Sequence, residues 1–448
     1  MRSITNLNPF NSFEISLIVT SVVWAVLILF ILGESEAPII SGDGVIYNQM
    51  ALNLINYQTI SFSQDFPIEP TLARYPGYPI FLALIYLISR NSISAVPFVQ
   101  YLLLGLIAIA LYRLVRMRIN EFTAKISAIF CITYFPFLLF CSFHLTEILT
   151  TFIFLMVLLG LEKLKQTPNK LFGYLIIGLI LGALTMIRPT FSLIVFPIII
   201  GLAFERKFYG SLAHFWQTLL IAIFILIGFS VFLSPWLIRN QLLSHQLLLG
   251  AGSSESIYWS VRQYKGTTNY DFTNGQWRTV YSPKTKEIEA KLDDKIEQLQ
   301  NLSLEEKKNP NSITKELLKA ELWENALREE LKQLTLGEFL ANIPKRVFHL
   351  WGMVPPAEYY FTSVTINHRI PKLQVWILFL LSISGLLLKK RDLLKNWTLW
   401  ILPLYITFVH LIFHVEARYS VPAHPFILIY SAVGLIGIFS LIKERFNN

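Results

Sequence analysis

An acid and an arginine stand in the polar stretches that follow the first hydrophobic segment. The acid, Asp43, lies between two glycines, and Arg74 precedes a turn at residues 75–79 that two prolines and a glycine make rigid. Charge beside a membrane segment is costly unless it has a task. We therefore interpret Asp43 as a general base, which accepts a proton from a weak nucleophile, and Arg74 as a clamp for an anion.

Further polar residues occur at the same boundary of other hydrophobic segments. Glu147 opens one such segment and is the second candidate for a catalytic acid or base. Three more arginines stand at segment ends beside prolines or aromatic residues, against the usual placement of basic residues, which favours phosphate binding. The phosphate-binding candidates are Arg74, Arg188, Arg239 and Arg418, and the substrate-binding candidates are Tyr47, Tyr75, His144, Asn240 and Tyr419.

Each of these residues also has a purely structural interpretation. Asp43 and Glu147 both stand where a helix is predicted to begin, so either carboxylate can serve as a helix cap. Arg74 can be an interfacial arginine whose side chain extends towards water. The histidines and nearby acids match no metal-binding spacing, so no metal site and no cofactor is predicted, and a divalent metal is left open without being indicated.

The composition is that of an integral membrane protein. Of the 448 residues, 54% are hydrophobic and only 15% are charged, whereas soluble proteins carry roughly 25% charged residues. The net charge of +9 could indicate nucleic-acid binding. The basic residues fall between hydrophobic segments, however, which fits membrane topology and excludes a nucleic-acid patch.

Hydrophobic segments of spanning length predict an all-α polytopic protein with about 10–12 transmembrane helices. The segment 79–89 is apolar but too short to cross, so it predicts a juxtamembrane or re-entrant helix. Cys131 and Cys141 lie ten residues apart in one predicted helix and cannot form a disulfide. The ten predicted spans are 15–32, 93–112, 124–142, 147–161, 171–187, 190–204, 215–237, 373–388, 397–413 and 420–441.

The distribution of basic residues predicts the topology. Lysines and arginines cluster in alternate loops on the side of the N-terminus, which the positive-inside rule makes the cytoplasm. Both termini are then cytoplasmic, and the candidate site residues face outwards. We divide the chain into a transmembrane catalytic module at 1–238, with its first outer loop at 33–75, a mostly helical soluble segment at 239–372, and C-terminal transmembrane helices at 373–448.

Taken together, these segments resemble the GT-C membrane glycosyltransferases. The resemblance is strongest to the family 39 type, which includes protein O-mannosyltransferases and aminoarabinose transferases of lipid A, and it covers nearly the whole chain. It rests on the order and common side of several short motifs. These are Gly42-Asp43 with Tyr47 and Ala51, residues 74–79, Thr146-Glu147, residues 187–190, Pro235-Trp236 with Arg239-Asn240, and Arg418-Tyr419 with Pro422 and Pro425.

The resemblance implies transfer of a sugar from a polyprenyl-phosphate donor at the outer face of the membrane. By position, Asp43 matches the base and Arg74 the residue that contacts the donor phosphate, while Glu147 matches a second acid. Arg239 and Arg418 are looser matches to donor-binding positions. Protein mannosyltransferases usually carry two adjacent acids in the first loop, whereas here Gly44 follows Asp43. The acceptor can therefore be a lipid, a glycan or a protein.

Two other functions are compatible with this pattern. A flippase or transporter of lipid-linked sugars would carry ionisable residues near the membrane midplane and often an internal repeat, and the sequence shows neither. A polysaccharide polymerase or ligase would use a pyrophosphate-linked donor, but those proteins generally lack an acid directly after the first span. We expect a glycosyltransferase in a plasma membrane, of bacterial type, with its site facing the periplasm or exterior.

Overall fold

The computed structural model of the protein describes residues 10–32, 42–167, 170–207, 212–265, 283–302, 311–352, 369–389 and 394–447. Within these ranges every regular element is a helix, in agreement with the predicted all-α fold. The start of the first loop, 33–41, and residues 266–282, 303–310 and 353–368 of the soluble segment lie outside the described residues. The α-helices are, in chain order, α1 Ser12–Leu32, α2 Asp43–Tyr57, α3 Gly77–Ser89, α4 Ala95–Arg118, α5 Glu121–Ile132, α6 Phe135–Cys141, α7 Glu147–Lys165, α8 Leu171–Ile187, α9 Val195–Lys207, α10 Leu212–Ser244, α11 Ser253–Tyr264, α12 Pro283–Leu302, α13 Ser312–Gln333, α14 Leu336–Gly352, α15 Arg369–Leu388, α16 Ile401–Ile412 and α17 His424–Asn447.

Each of the ten predicted spans falls on a helix or on a pair of helices. In the described part of the chain, four helices are long and apolar enough to cross a membrane, and the bent pair α5–α6 makes a fifth if counted as one span. The remaining predicted spans correspond to shorter apolar helices and to α7, which is largely buried by its neighbours. The four long segments are Ser12–Phe30, Ala95–Arg118, Phe215–Ser244 and Ala417–Phe446.

The span predicted at 124–142 is two helices rather than one straight helix. The axes of α5 and α6 meet at an angle of 49°. Pro136 stands in the first turn of α6, where its missing N–H is tolerated, but a proline cannot continue the hydrogen bonding of a preceding helix. Cys131 and Cys141 therefore lie on different helices, contrary to prediction, and both are buried and free.

One buried glutamine on the central helix α4 fixes the turn that leads to Glu147. α4 packs against α1, α5 and α7 and buries apolar side chains along most of its length. Gln100 Nε2 donates to the backbone oxygens of Cys141, at 3.1 Å, and Phe143, at 2.5 Å. The bond to Cys141 O satisfies a carbonyl group at the end of α6, and the bond to Phe143 O adds to the one that the same Phe143 carbonyl accepts from Leu145 N. The α6–α7 turn, and with it the start of α7, is thereby anchored to the core.

Two short helices, α2 and α3, pack against each other beside this turn. α3 has 13 residues, or about 20 Å of helix, which is too short to cross a membrane, as predicted for residues 79–89. The Tyr86 hydroxyl on α3 donates to Asn48 Oδ1 on α2 at 2.6 Å. The rings of Tyr47 and Tyr78 meet edge to face with centres 5.3 Å apart. This packing fixes the direction of α2, whose first residue is Asp43.

The segment 239–372, which the sequence predicts to be soluble, contains a small helical core. Helices α11, α12 and α13 pack around Trp323, whose ring centre lies 5.1 Å from that of Tyr258. α14 then begins with a capping box, in which Thr335 N donates to Glu338 Oε2 at 2.9 Å and Glu338 N donates to Thr335 Oγ1 at 3.2 Å. α13 buries one face, with Ile313, Leu322 and Trp323 among its buried side chains.

A buried arginine joins this soluble core to the C-terminal helices. Arg346 on α14 donates from Nη1 to Ser260 O at 2.8 Å and from Nη2 to the backbone oxygens of His410, at 2.7 Å, and Phe413, at 2.8 Å. Its guanidinium also lies over the ring of Tyr264, 4.0 Å from the ring centre. The bonds to His410 and Phe413 satisfy the free carbonyl groups at the end of α16. Arg346 therefore connects three elements: α11, α14 and α16.

Replacing Arg346 with alanine is expected to lower the stability of the protein by about 3 kcal/mol. The change leaves several buried carbonyl groups without a donor, and hydrogen bonds to charged groups are worth roughly 1.5–3 kcal/mol each. The effect is measured as a lower thermal unfolding midpoint in detergent and as faster proteolysis within 239–372. Lys345→Ala, an exposed neighbour on the same helix, is the control. Equal midpoints for the two variants would contradict the role of Arg346.

Candidate active site

Asp43 stands at the start of α2, but its side chain does not cap that helix. Gly42 occupies the N-cap position with φ of 55°, a left-handed conformation that glycine adopts without strain. Gly44 packs against the backbone of His144, whose carbonyl oxygen would lie 3.2 Å from an added Cβ. The first turn of α2 makes no side-chain cap bond. The carboxylate of Asp43 is therefore free of the helix and bonds elsewhere.

The two carboxylate oxygens of Asp43 each meet a different arginine. Arg74 Nη2 lies 3.3 Å from Oδ1, and Arg418 Nη2 lies 2.7 Å from Oδ2. Burial alone would raise the pKa of Asp43, but the charges of Arg418 and Arg74 outweigh it and hold the pKa below its usual value of 3.8. The side chain is 27% exposed. Asp43 is thus a partly accessible, fully ionised carboxylate at neutral pH.

Arg418 is held in turn by a second carboxylate. Arg418 Nε donates to Glu416 Oε2 at 2.7 Å, and the other oxygen of Glu416 lies 3.3 Å from His414 Nε2. His414 Nδ1 lies 3.0 Å from the hydroxyl of Ser256 on α11. Burial acts to raise the pKa of Glu416, but Arg418 and then His414 lower it well below its usual range. This chain of contacts fixes the plane of the Arg418 guanidinium.

A second acid–arginine pair lies next to the first, separated by an aromatic ring. Arg188, at the end of α8, has its Nη1 3.5 Å from Glu147 Oε1, and both side chains are buried. The ring centre of Tyr419 lies 5.1 Å from the guanidinium carbon of Arg188 and 5.3 Å from that of Arg418. Glu147 Oε2 and Arg188 Nη1 have no hydrogen-bond partner among the described residues. The pair therefore has unused hydrogen-bonding capacity.

Tyr47 and His144 border this cluster. Burial, and next the negative charge of Asp43, raise the pKa of Tyr47 to about 12, so its hydroxyl stays protonated. His144 Nδ1 lies 3.4 Å from the Tyr86 hydroxyl. Burial lowers the pKa of His144 to about 4, which keeps its ring neutral at pH 7. Both residues can act there as neutral hydrogen-bonding groups.

Three of the predicted site residues contact loops or each other rather than a carboxylate of the site. Arg239 Nη1 donates to Thr71 O and to Asn240 Oδ1, both at 2.9 Å. Asn240 Nδ2 donates to Leu248 O at 3.0 Å. The ring of Tyr75 packs near that of Trp236, with centres 6.5 Å apart. Over the described ranges, these side chains make no ion pair with Asp43 or Glu147.

Two further residues complete the cluster, both of which the sequence places at the same outer boundary but neither of which was predicted as a site residue. Glu416 and His414 lie between α16 and the 3₁₀ helix Ala417–Ala423. The signal that could have identified Glu416 is its position two residues before Arg418, at the same predicted outer boundary. No comparable local signal marks Ser256, because its contact with His414 spans 158 residues.

The described histidine and acidic side chains of the cluster are not arranged as a metal site. Within the described residues, no group of three or more His, Cys, Asp and Glu side chains is arranged to hold a metal ion. The carboxylates of Asp43, Glu416 and Glu147 each face an arginine instead. The negative charge of each of these acids is therefore already balanced by a guanidinium group.

Comparison with known proteins gives a family match over part of the chain and a similar fold over nearly all of it. The family model for dolichyl-phosphate-mannose-protein mannosyltransferase matches residues 70–236, which include Arg74, Glu147 and Arg188. A search of curated protein sequences found no match. The archaeal oligosaccharyltransferase AglB from Archaeoglobus fulgidus, solved with an inhibitory peptide and a dolichol-phosphate, is similar over 97% of this chain and 52% of its own, with 16% identity and a TM-score of 0.52.

Two further solved structures extend this comparison. An oligosaccharyltransferase of the same organism, in complex with Zn and sulfate, is similar over 97% of this chain and 50% of its own, with 13% identity and a TM-score of 0.54. ArnT from Cupriavidus metallidurans is similar over 95% of this chain and 78% of its own, with 11% identity and a TM-score of 0.37. The chain thus spans about half the length of the archaeal enzymes. By its fold the chain is a membrane protein of the GT-C type, as the sequence resemblance predicts, and its residues 70–236 match the dolichyl-phosphate-mannose-protein mannosyltransferase family.

Proposed function

We propose that this protein transfers a sugar from a polyprenyl-phosphate donor to an acceptor hydroxyl, with inversion at the anomeric carbon. The observation that carries the proposal is the position of Asp43 between Arg74 and Arg418. An ionised carboxylate can accept the proton of a hydroxyl, and arginines beside it can bind a phosphate. A lipid-linked donor is supported by the matched family and by the dolichol-phosphate bound to AglB.

The reaction requires one base and one anion site. The acceptor oxygen attacks the anomeric carbon, its proton passes to a carboxylate oxygen of Asp43, and the bond from that carbon to the phosphate oxygen breaks. The electron pair of that bond leaves with the polyprenyl phosphate, whose growing negative charge Arg74 and Arg418 stabilise. Direct displacement inverts the anomeric centre. Glu147 keeps its proposed place as the second acid, beside Arg188.

The same arginines neutralise Asp43 before the donor is bound. Because a donor phosphate and Asp43 are both anions, they compete for the guanidinium groups of Arg74 and Arg418. Binding of the donor then weakens the arginine contacts with Asp43 and raises its pKa, which makes it a stronger base. In this proposal, the base gains strength only once the donor is present.

The proposed membrane location follows from the same argument. The positive-inside rule assigns the basic loops and both termini to the cytoplasm, so the cluster faces the periplasm or exterior of a bacterial plasma membrane. Helix α11, in the segment 239–372, lies beside the site, since Ser256 contacts His414. We propose that this segment shapes the path of the acceptor, which can be a lipid, a glycan or a protein.

The test is sugar transfer by the purified full chain. The protein is offered a panel of polyprenyl-phosphate sugars with a membrane extract as the acceptor, and the released polyprenyl phosphate is measured. Release with one donor is expected, and it identifies the sugar. A folded protein that releases nothing from any of these donors would contradict the proposal. Pyrophosphate-linked donors, for a polymerase or ligase, and then transport assays would follow.

The two arginines beside Asp43 predict a specific pH dependence. A carboxylate with a lowered pKa stays ionised until the pH falls below that pKa, so Asp43 gives kcat/KM no acidic limb above pH 3.8. Arg74→Ala removes one of the two charges that lower the pKa of Asp43, so the acidic limb of kcat/KM is expected to lie at higher pH than in the wild type. The measurement is kcat/KM from pH 4 to pH 8, with the exposed Arg90→Ala as the control. Identical profiles for wild type and Arg74→Ala would contradict the assignment.

A further inference from the structure

The irregular chain segment directly before Arg74 is hydrogen-bonded to a carboxylate of the segment 239–372. Glu316 on α13 accepts a hydrogen bond from Thr71 Oγ1 with one oxygen and from the backbone N–H of Leu72 with the other, both at 2.6 Å. Thr71 Oγ1 also accepts from Ala73 N at 3.0 Å. Hydrogen bonds to an ionised acceptor are the stronger kind. Three consecutive residues are thus fixed directly before Arg74.

The same chain segment is also hydrogen-bonded to the start of α13, to Arg239 and to Ala251. Ser312 donates from its backbone N to Glu69 Oε2, at 2.5 Å, and from its hydroxyl to Pro70 O, at 2.7 Å. Arg239 Nη1 donates to Thr71 O at 2.9 Å, and Ala251 N donates to Leu72 O at 3.1 Å. Residues 69–72 are therefore bound by the start of α13, by the end of α10 and by Ala251.

Arg74 depends on this support more than Arg418 does. The Arg418 side chain bridges two carboxylates and is 16% exposed, whereas the Arg74 side chain is 42% exposed and makes its ion pair with Asp43 at 3.3 Å. A long, exposed side chain loses much conformational freedom when it is held in one place. A fixed backbone at residues 71–73 limits the positions that the guanidinium can reach.

We propose that Glu316 is a positioning residue for donor binding, which acts by fixing the backbone that presents Arg74 to the donor phosphate. The inference rests on the proposed function of Arg74 as a phosphate clamp. It assigns to the soluble segment a part in donor recognition, in addition to any contact with the acceptor. Glu316 itself touches neither Asp43 nor the phosphate site, and its effect passes through Thr71 and Leu72.

Three variants test this role. Glu316→Ala removes both hydrogen bonds and is expected to weaken binding of a short-chain polyprenyl phosphate about tenfold, the worth of one charge-assisted bond. The KM for the donor is expected to rise by a similar factor, and kcat is expected to fall by less than that factor because Arg74 also stabilises the leaving phosphate. Glu316→Gln can still accept from Leu72 N–H and donate to Thr71 Oγ1, so it is expected to retain most of the affinity. Thr71→Val removes the bond to Glu316 and the bond that Thr71 Oγ1 accepts from Ala73 N, and it is expected to weaken binding in the same direction as Glu316→Ala.

Amide hydrogen exchange tests the contact independently of activity. Faster exchange in the peptide that covers residues 69–75 is expected for Glu316→Ala, with other segments unchanged. Glu321→Ala is the matched control, because this acid lies on the same helix in an exposed ion pair with Lys295. Unchanged exchange at 69–75 in Glu316→Ala would overturn the inference, as would faster exchange with wild-type affinity for polyprenyl phosphate.

An Arg74→Ala variant separates this inference from the proposed function on which it rests. Weaker binding of polyprenyl phosphate by Arg74→Ala supports the clamp and leaves the Glu316 variants as the test of positioning. Wild-type affinity in Arg74→Ala overturns the clamp itself, and with it the role of Glu316, whatever the exchange data show. A uniform fall in kcat and in folded yield for Glu316→Ala and Glu316→Gln alike indicates general destabilisation, which also overturns positioning.

Discussion

Replacing Asp43 with asparagine is expected to lower the turnover of sugar transfer by about 10²- to 10⁴-fold, the usual contribution of a positioned base. Asparagine has nearly the same shape but cannot accept the proton of the acceptor hydroxyl. The change also removes the anion that competes with the donor phosphate for Arg74 and Arg418. The KM for the donor is therefore expected to stay the same or to fall while kcat collapses.

This split between kcat and KM distinguishes a base from a binding residue. It is measured with purified protein and saturating donor, by release of polyprenyl phosphate. Asp65→Asn is the matched control, since Asp65 is an exposed acid of the same loop, and it is expected to behave as wild type. Normal turnover in Asp43→Asn, from protein with an unchanged thermal midpoint, would remove Asp43 from the chemistry and leave Glu147 as the acid to test.

The meeting of distant segments could be predicted from the sequence because membrane topology restricts where each residue can lie. Asp43 and Arg418 are 375 positions apart, yet both stand at the ends of hydrophobic segments on one predicted side. Helices that cross a membrane bring such ends to a common surface. A contact between the two residues is therefore easier to predict from the sequence than a contact over the same separation in a soluble protein.

The pairing within the cluster could not be predicted in this way. Arg239 resembles Arg418 in sequence context, since both stand at the end of a span near an aromatic residue and a proline. In the structure, Arg239 binds the backbone of Thr71, and Arg418 binds Asp43. The difference depends on which loop packs over each helix end. Local sequence carries little information about such packing.

The sequence spacing leaves open whether Asp43 and Glu147 cap helices or form ion pairs, and the structure decides between these roles. The first turn of α2 has no side-chain cap, and the same holds for α7, whose N-cap residue is Thr146. Asp43 and Glu147 instead form ion pairs with arginines. Both acids occur at helix starts, where the helix dipole favours negative charge, so the same residues satisfy the local preference and the longer-range contact. Sequence spacing alone is therefore compatible with both roles.

Replacing Arg418 with alanine is expected to have the largest combined effect on binding and catalysis among the arginines. The variant loses the 2.7 Å contacts with both Asp43 and Glu416 and leaves these two carboxylates facing each other. We expect kcat/KM for the donor to fall by about 10²- to 10³-fold, as for loss of one group that stabilises developing charge. Stability is expected to fall by roughly 1–3 kcal/mol, less than for a fully buried pair because the site is partly exposed.

Arg418→Lys tests whether charge alone is sufficient. Lysine keeps the positive charge but has a single ammonium group, which cannot bridge Asp43 and Glu416 as the planar guanidinium does. An intermediate loss is therefore expected, with donor affinity recovered more than kcat. The measurements are kcat/KM for the donor and the affinity for polyprenyl phosphate, with the exposed Arg445→Ala as the control. If Arg418→Ala lowers only the thermal midpoint and transfers sugar at the wild-type rate, the bridge is structural, and the donor phosphate must be bound by Arg74 and Arg188 instead.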